Sequence, residues 1–155
     1  MPRTSPNLGR PGGAESPSEA DCWVFDVDGC LVDSLTGTSL RPGAREILGS
    51  LAGHTRVLLW SAGGDDYAQA RARQFEVDHL VSGFFAKEHR DARGCYLTTH
   101  LPVGAGGAVF VDDRPEDLAE DLDVVAVSPY LAEDAHDRGL EVLARRVGLP
   151  AAPEV

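Results

Sequence analysis

The chain is almost without lysine: of fourteen lysines and arginines in 155 residues, only Lys87 is a lysine. Twenty-five acids oppose them and leave a net charge of −11. A chain this acidic repels a polyanion, so the counterion-release route to nucleic acid is poorly served and no nucleic-acid partner is expected. Cysteine is scarce too. Cys22, Cys30 and Cys95 have neither metal-ligand spacing nor the makings of a disulfide framework, which points to a reducing cytoplasm. No apolar run is long enough to span a membrane, and the N-terminus has no apolar signal core. His54, His79, His89, His100 and His136 show no ligand spacing and read as surface or loop residues.

What is present is unevenly placed. Residues 112–141 hold eleven acids and two arginines, whereas 41–93 hold eight basic and seven acidic residues. Most of the acidic stretch reads as a solvated face. Residues 1–20 contain four Pro, three Gly and three Ser, with Leu8 their only large apolar residue besides Met1. Such a composition cannot build a core, so a disordered leader is expected there, a single folded core at 21–149, and a short tail at 150–155.

From residue 21 short apolar runs alternate with helical patterns. Cys22–Val27, Val57–Trp60, Ala108–Val111 and Val124–Val127 read as buried strands. Ala44, Ile47, Leu48 and Leu51 fall on one helical face behind Pro42, and Leu140, Leu143, Ala144 and Val147 repeat that spacing. Further helices are expected from Asp65 to Phe75 and from Pro115 to about Asp121. The fold class is α/β: a three-layer, doubly wound, Rossmann-like and mainly parallel sheet covered on both faces.

One stretch resists a purely structural account. WVFDVDGCLVDS (23–34) buries a charge, Asp26, in an apolar strand and repeats it at Asp28. Asp28-Gly29 alone would suggest a hairpin turn, but an unpaired carboxylate in the preceding strand costs several kcal/mol. Residues two apart on a strand point the same way, so the two acids can address one site. In parallel sheets ligands bind at the carboxyl ends of strands. Those ends carry Asp26 and Asp28, then Ser61, then Asp112 and Asp113. The buried charge is tolerable if a metal ion sits on it.

These residues bring the sequence close to a known family. DVDGCLVDS (26–34) resembles motif I, DxDGxLxD, of the haloacid dehalogenase (HAD) superfamily of phosphohydrolases. WSAG (60–63) is similar to its motif II, and VDDRPED (111–117) to its motif IV, with Asp113 and Asp117 matching DxxxD. The resemblance implies hydrolysis of phosphoric monoesters through an aspartyl-phosphate on Asp26. Asp28 would serve as general acid and then base, kept protonated by neighbouring negative charge. Mg²⁺ would be held by Asp26, Asp113 and the backbone carbonyl of Asp28, with Asp112 acting through water or orienting the others. Ser61 and the amides of Ala62 and Gly63 would cradle the phosphate. The physical logic agrees, since a carboxylate attacking a phosphate needs a cation to screen the repulsion.

The family also uses a motif III cation. Lys87, after the apolar stretch Leu80–Ala86, is the candidate, with Arg90 and Arg93 as substitutes. Cys30, where the family often has Thr, reads as structural. RPG (41–43) and WSAGGDDYA (60–68) resemble the phosphatases acting on the RNA polymerase C-terminal domain, although CYLTTHL (95–101) lacks that subgroup's lysine. A receiver domain is excluded by motif order, because the DD pair would open such a domain and here lies near the end.

Only 32 residues separate Asp28 from Ser61, and 50 separate Ser61 from Asp112. Neither interval has room for a cap domain, so an open site is expected, suited to a phosphoprotein or to a lid lent by another subunit. A phosphate-binding or interaction module without catalysis, and a phosphotransferase with the same intermediate, are the alternatives.

Overall fold

In the computed structural model, residues 20–104 and 107–150 are described, and nearly all of the expected leader and tail lie outside them. Five parallel strands form the sheet: β1 (Cys22–Asp26), β2 (Arg56–Ser61), β3 (Gly83–Ala86), β4 (Ala108–Asp112) and β5 (Asp123–Ala126). Their spatial order is β3-β2-β1-β4-β5. The chain winds outward from β1 on one side, then crosses to β4 on the other. This reversal opens a crevice at the carboxyl ends of β1 and β4, where ligands of such sheets bind.

Pleating sorts the strand residues onto two faces. Trp23, Phe25, Val57, Leu59, Val109 and Val111 join one buried cluster. It is covered by α1 (Ala44–Ala52), α2 (Asp65–Gln74) and α3 (Glu141–Arg146). The stripe Ala44, Ile47, Leu48 and Leu51 is buried as its spacing requires. α2 buries only Ala68 and Ala72, so this polar helix is held close to the sheet by small residues. Its first turn carries Asp65 and Asp66 and its last Arg71 and Arg73, each sign opposing the helix dipole.

On the other face Cys22, Val24, Leu58, Trp60 and Phe110 pack against Leu101 and Leu118. The connection from β3 to β4 supplies Leu101, and the chain just past the 3₁₀ turn Pro115–Asp117 supplies Leu118. Right-handed crossovers explain the division: connections winding from β1 to β3 lie on one face, and those returning toward β5 lie on the opposite one.

Two elements differ from the sequence reading. β3 was expected only as an apolar stretch, and its four half-buried residues form an edge strand on β2. The helix expected from Pro115 to Asp121 is a single 3₁₀ turn. The Asp117 carbonyl accepts the Tyr96 N–H at 2.9 Å, and Leu118 turns extended to bury itself, so tertiary contacts end the helix.

Candidate active site

The site assembles at four adjacent strand ends. Asp26 closes β1, Ser61 closes β2, Lys87 follows β3, and Asp112 closes β4 with Asp113 next to it. The Lys87 N–H donates to the Ser61 carbonyl at 2.9 Å, which extends the β2–β3 pairing and fixes where the lysine leaves the sheet. Its ammonium donates to Asp26 Oδ1 at 2.9 Å and to Asp112 Oδ2 at 3.0 Å. Trp60 and Tyr96 flank it, their ring centroids 5.2 and 5.3 Å from Nζ. The only lysine in the sequence is thus nearly buried, with its side chain 6% exposed.

Carboxylate oxygens of Asp26, Asp112 and Asp113 lie within 4.8 Å of one another. Burial pushes the Asp26 carboxyl well above the usual range, with Lys87 pulling it down and Asp112 pushing it up. Burial also raises Asp112, against the pull of Lys87. Burial alone would lower Lys87, but the two carboxylates outweigh it and raise the ammonium above the ordinary lysine value. Asp112 is fully engaged, because its other oxygen accepts the Arg114 N–H at 2.9 Å. Asp113 is not: its Oδ1 is buried and has no hydrogen-bond partner.

The segment after β1 turns under the cluster and is not a hairpin, since β1 pairs in parallel with both β2 and β4. Gly29 has φ +81°, and a β-carbon there would lie 2.6 Å from Asp113 Oδ2, so only glycine fits both backbone and space. Cys30 is buried with its thiol toward the Val111 carbonyl, in keeping with a structural role.

A cleft of about 230 Å³ is lined by Asp26, Asp28, Ser61, Ala62, Lys87, Asp112 and Asp113, with Arg90, Tyr96, Arg114 and Asp117 at its edges. Gly63 does not line it; its N–H donates to Ser61 Oγ at 2.9 Å. Arg90 stacks on Tyr96 and pairs with Asp117, whereas Arg93 lines a separate recess with Asp91 and Cys95. Three participants escaped sequence reasoning: Arg114 at the rim, Tyr67, which donates to Asp28 Oδ1 at 2.6 Å, and the buried Arg41 beneath the turn. Tyr67 had a usable signal, since a helix starting just past β2 aims its first turn at the strand ends.

The NLI interacting factor-like phosphatase family model matches residues 21–148. The chain belongs to this phosphatase family. No curated protein matches the sequence. Among solved structures, a haloacid dehalogenase-like hydrolase from Streptococcus pneumoniae is 15% identical with TM-score 0.60, covering 82% of this chain and 98% of its own. The fission yeast RNA polymerase II CTD phosphatase Fcp1, bound to beryllium fluoride, is 16% identical with TM-score 0.54, covering 73% of this chain. This phosphatase spans 42% of that Fcp1 chain and 48% of a second Fcp1 structure. These likenesses establish a shared HAD-like fold. No cap domain is inserted among the described residues of this phosphatase.

The residues present fit a divalent cation. The donor set is all carboxylate oxygen, which suits a hard ion such as Mg²⁺. The partnerless Asp113 Oδ1 is a buried acceptor that such an ion would satisfy.

Proposed function

We propose that this phosphatase is a Mg²⁺-dependent phosphomonoesterase working through a phosphoryl group carried on Asp26. The observation that carries the reading is the Asp26 carboxylate held 2.9 Å from Lys87, with oxygens of Asp112 and Asp113 within 4.8 Å. Asp26 and Asp113, with the Asp28 carbonyl, would hold the ion, while Asp112 orients Lys87. A bound Mg²⁺ screens the charge of nucleophile and substrate and favours the ionised form of Asp26.

Asp26 Oδ attacks phosphorus, and the ester P–O bond breaks as the acyl-phosphate bond forms. Asp28 gives its proton to the departing alkoxide. The carboxylate left behind then takes a proton from water, and the resulting hydroxide attacks phosphorus, releasing phosphate and restoring Asp26. Lys87, the Ser61 hydroxyl and the Ala62 N–H bear on the phosphoryl oxygens where charge spreads. The Gly63 N–H, engaged by Ser61, serves by orienting that hydroxyl.

No cap covers the cleft among the described residues, which favours a phosphate presented on a protein over a small metabolite. Three free cysteines, two of them buried, fit a reducing cytoplasm. The folded unit is assigned to residues 21–149. The test is phosphate release from phosphopeptides and small phosphomonoesters, with Mg²⁺ or with chelator. Turnover should require Mg²⁺, favour phosphopeptides, and vanish in a folded Asp26→Asn variant. Unchanged turnover under chelation, or in Asp26→Asn, contradicts the reading.

A further inference from the structure

Asp28 is not held by the motif that contains it. Its Oδ1 accepts the Tyr67 hydroxyl at 2.6 Å, and Tyr67 is on the first turn of α2. Arg71, one helical turn on, donates Nε–H to the same tyrosine oxygen at 3.2 Å, with its guanidinium 4.7 Å from the ring centroid. A guanidinium can only donate. The tyrosine oxygen therefore accepts from Arg71, and its hydroxyl donates to Asp28.

Two glycines make room for the pair. A β-carbon on Gly63 would lie 2.8 Å from the Tyr67 ring, and one on Gly37 would lie 3.0 Å from Arg71 Nε. Gln74 completes the brace, accepting from Arg71 at 2.8 Å and donating to the Gly37 carbonyl at 3.1 Å.

We infer that Tyr67, oriented by Arg71, is a positioning residue for the acid–base group: its hydroxyl holds Asp28 by Oδ1, which fixes the carboxyl's rotation and leaves Oδ2 for proton transfer at the cleft. An unheld carboxyl would rotate between its two oxygens. The inference rests on the reading of Asp28 as general acid and base given above.

The experiment compares an alkyl phosphate with p-nitrophenyl phosphate, whose leaving group needs little protonation. Tyr67→Phe, checked by circular dichroism, should lower kcat about tenfold more on the alkyl ester, as part of the ~10²–10⁴-fold available to general acids. Arg71→Met should shift the same ratio more weakly. Asp28→Asn should show the largest shift, and adding Tyr67→Phe to it should change little, because Tyr67 acts through Asp28. Equal losses on both substrates in Tyr67→Phe, or a further loss in the double variant, overturn the inference while leaving Asp28 its role. An Asp28→Asn variant with no preference between substrates overturns the reading of Asp28 and the inference with it.

Discussion

Lys87 faces two carboxylates at once, and the cleft's charge balance depends on it. Removing the ammonium leaves Asp26 and Asp112 buried and mutually repelling, and on the proposed mechanism it withdraws a donor from the transferring phosphoryl group. Electrostatic donors in a dry site are worth about 3–4 kcal/mol, so Lys87→Ala should slow turnover by roughly a hundredfold or more. Lys87→Arg should recover only part, because a planar fork cannot replace a compact ammonium between two acids. Near-normal steady-state rates for Lys87→Ala would transfer the role to Arg90, which lines the same cleft.

Asp33, the third aspartate of the first motif, works on the backbone instead. It is buried and accepts N–H groups of Thr36 at 2.7 Å, Gly37 at 3.2 Å and Ser39 at 2.9 Å, and the Thr36 hydroxyl at 2.8 Å. Burial pushes its carboxyl up, but these bonds outweigh it and hold it at about 2. Folding thus favours the ionised form. The stability gained is complete above the unfolded value of about 4 and is lost as pH falls toward the folded one. Asp33→Ala should cost about 1–3 kcal/mol near neutrality, and its gap to wild type in urea unfolding should narrow on acidification. A gap independent of pH would contradict this assignment.

At the scale of elements, the turn after β1 is held from the far end of the chain. Arg41, just before α1, is fully buried and pairs with Asp137 at 2.7 Å. It also donates to the Cys30 carbonyl at 3.2 Å and to Ser128 Oγ at 3.1 Å. The Tyr130 N–H donates to the Gly29 carbonyl at 2.7 Å from the same segment. Arg41→Ala strands these acceptors in the interior and should cost about 3–5 kcal/mol in denaturant unfolding, with activity falling as the turn loosens. A loss below about 1 kcal/mol would match an exposed pair and refute this account.

Such long-range staples mark the limit of the sequence. RPG reads locally as the entry to a helix, and nothing near it announces a partner at Asp137. β3 was hidden because its residues are half-buried and open with Gly83, giving neither a continuous apolar run nor clean alternation. α2 itself was legible from Asp65 onward, but its sequence does not say that Tyr67 turns back to meet Asp28. By contrast β1, β2, β4 and α1 were legible, since their burial is complete and leaves its period in the residues. Asp26 was legible for the opposite reason: a charge that violates the strand's pattern needs a partner, and the sheet supplies one in Lys87.

At the scale of the whole molecule, the strand order places every proposed participant on one edge. α1 and the turn at 33–39 fill the interval between Asp28 and Ser61; α2, β3 and the crossing segment fill most of that between Ser61 and Asp112. The bare strand ends belong to a small phosphatase core, and on the proposed mechanism its chemistry depends on one buried carboxylate, Asp26. The most direct test is to mix Asp28→Asn with p-nitrophenyl phosphate and Mg²⁺, quench in acid, and map phosphorylated peptides by mass spectrometry. Without its base the variant should form the acyl phosphate and hydrolyse it slowly, so the phosphoryl group should accumulate on Asp26. Nitrophenol release with no phosphoryl group on Asp26, or with one on another residue, would contradict the covalent mechanism.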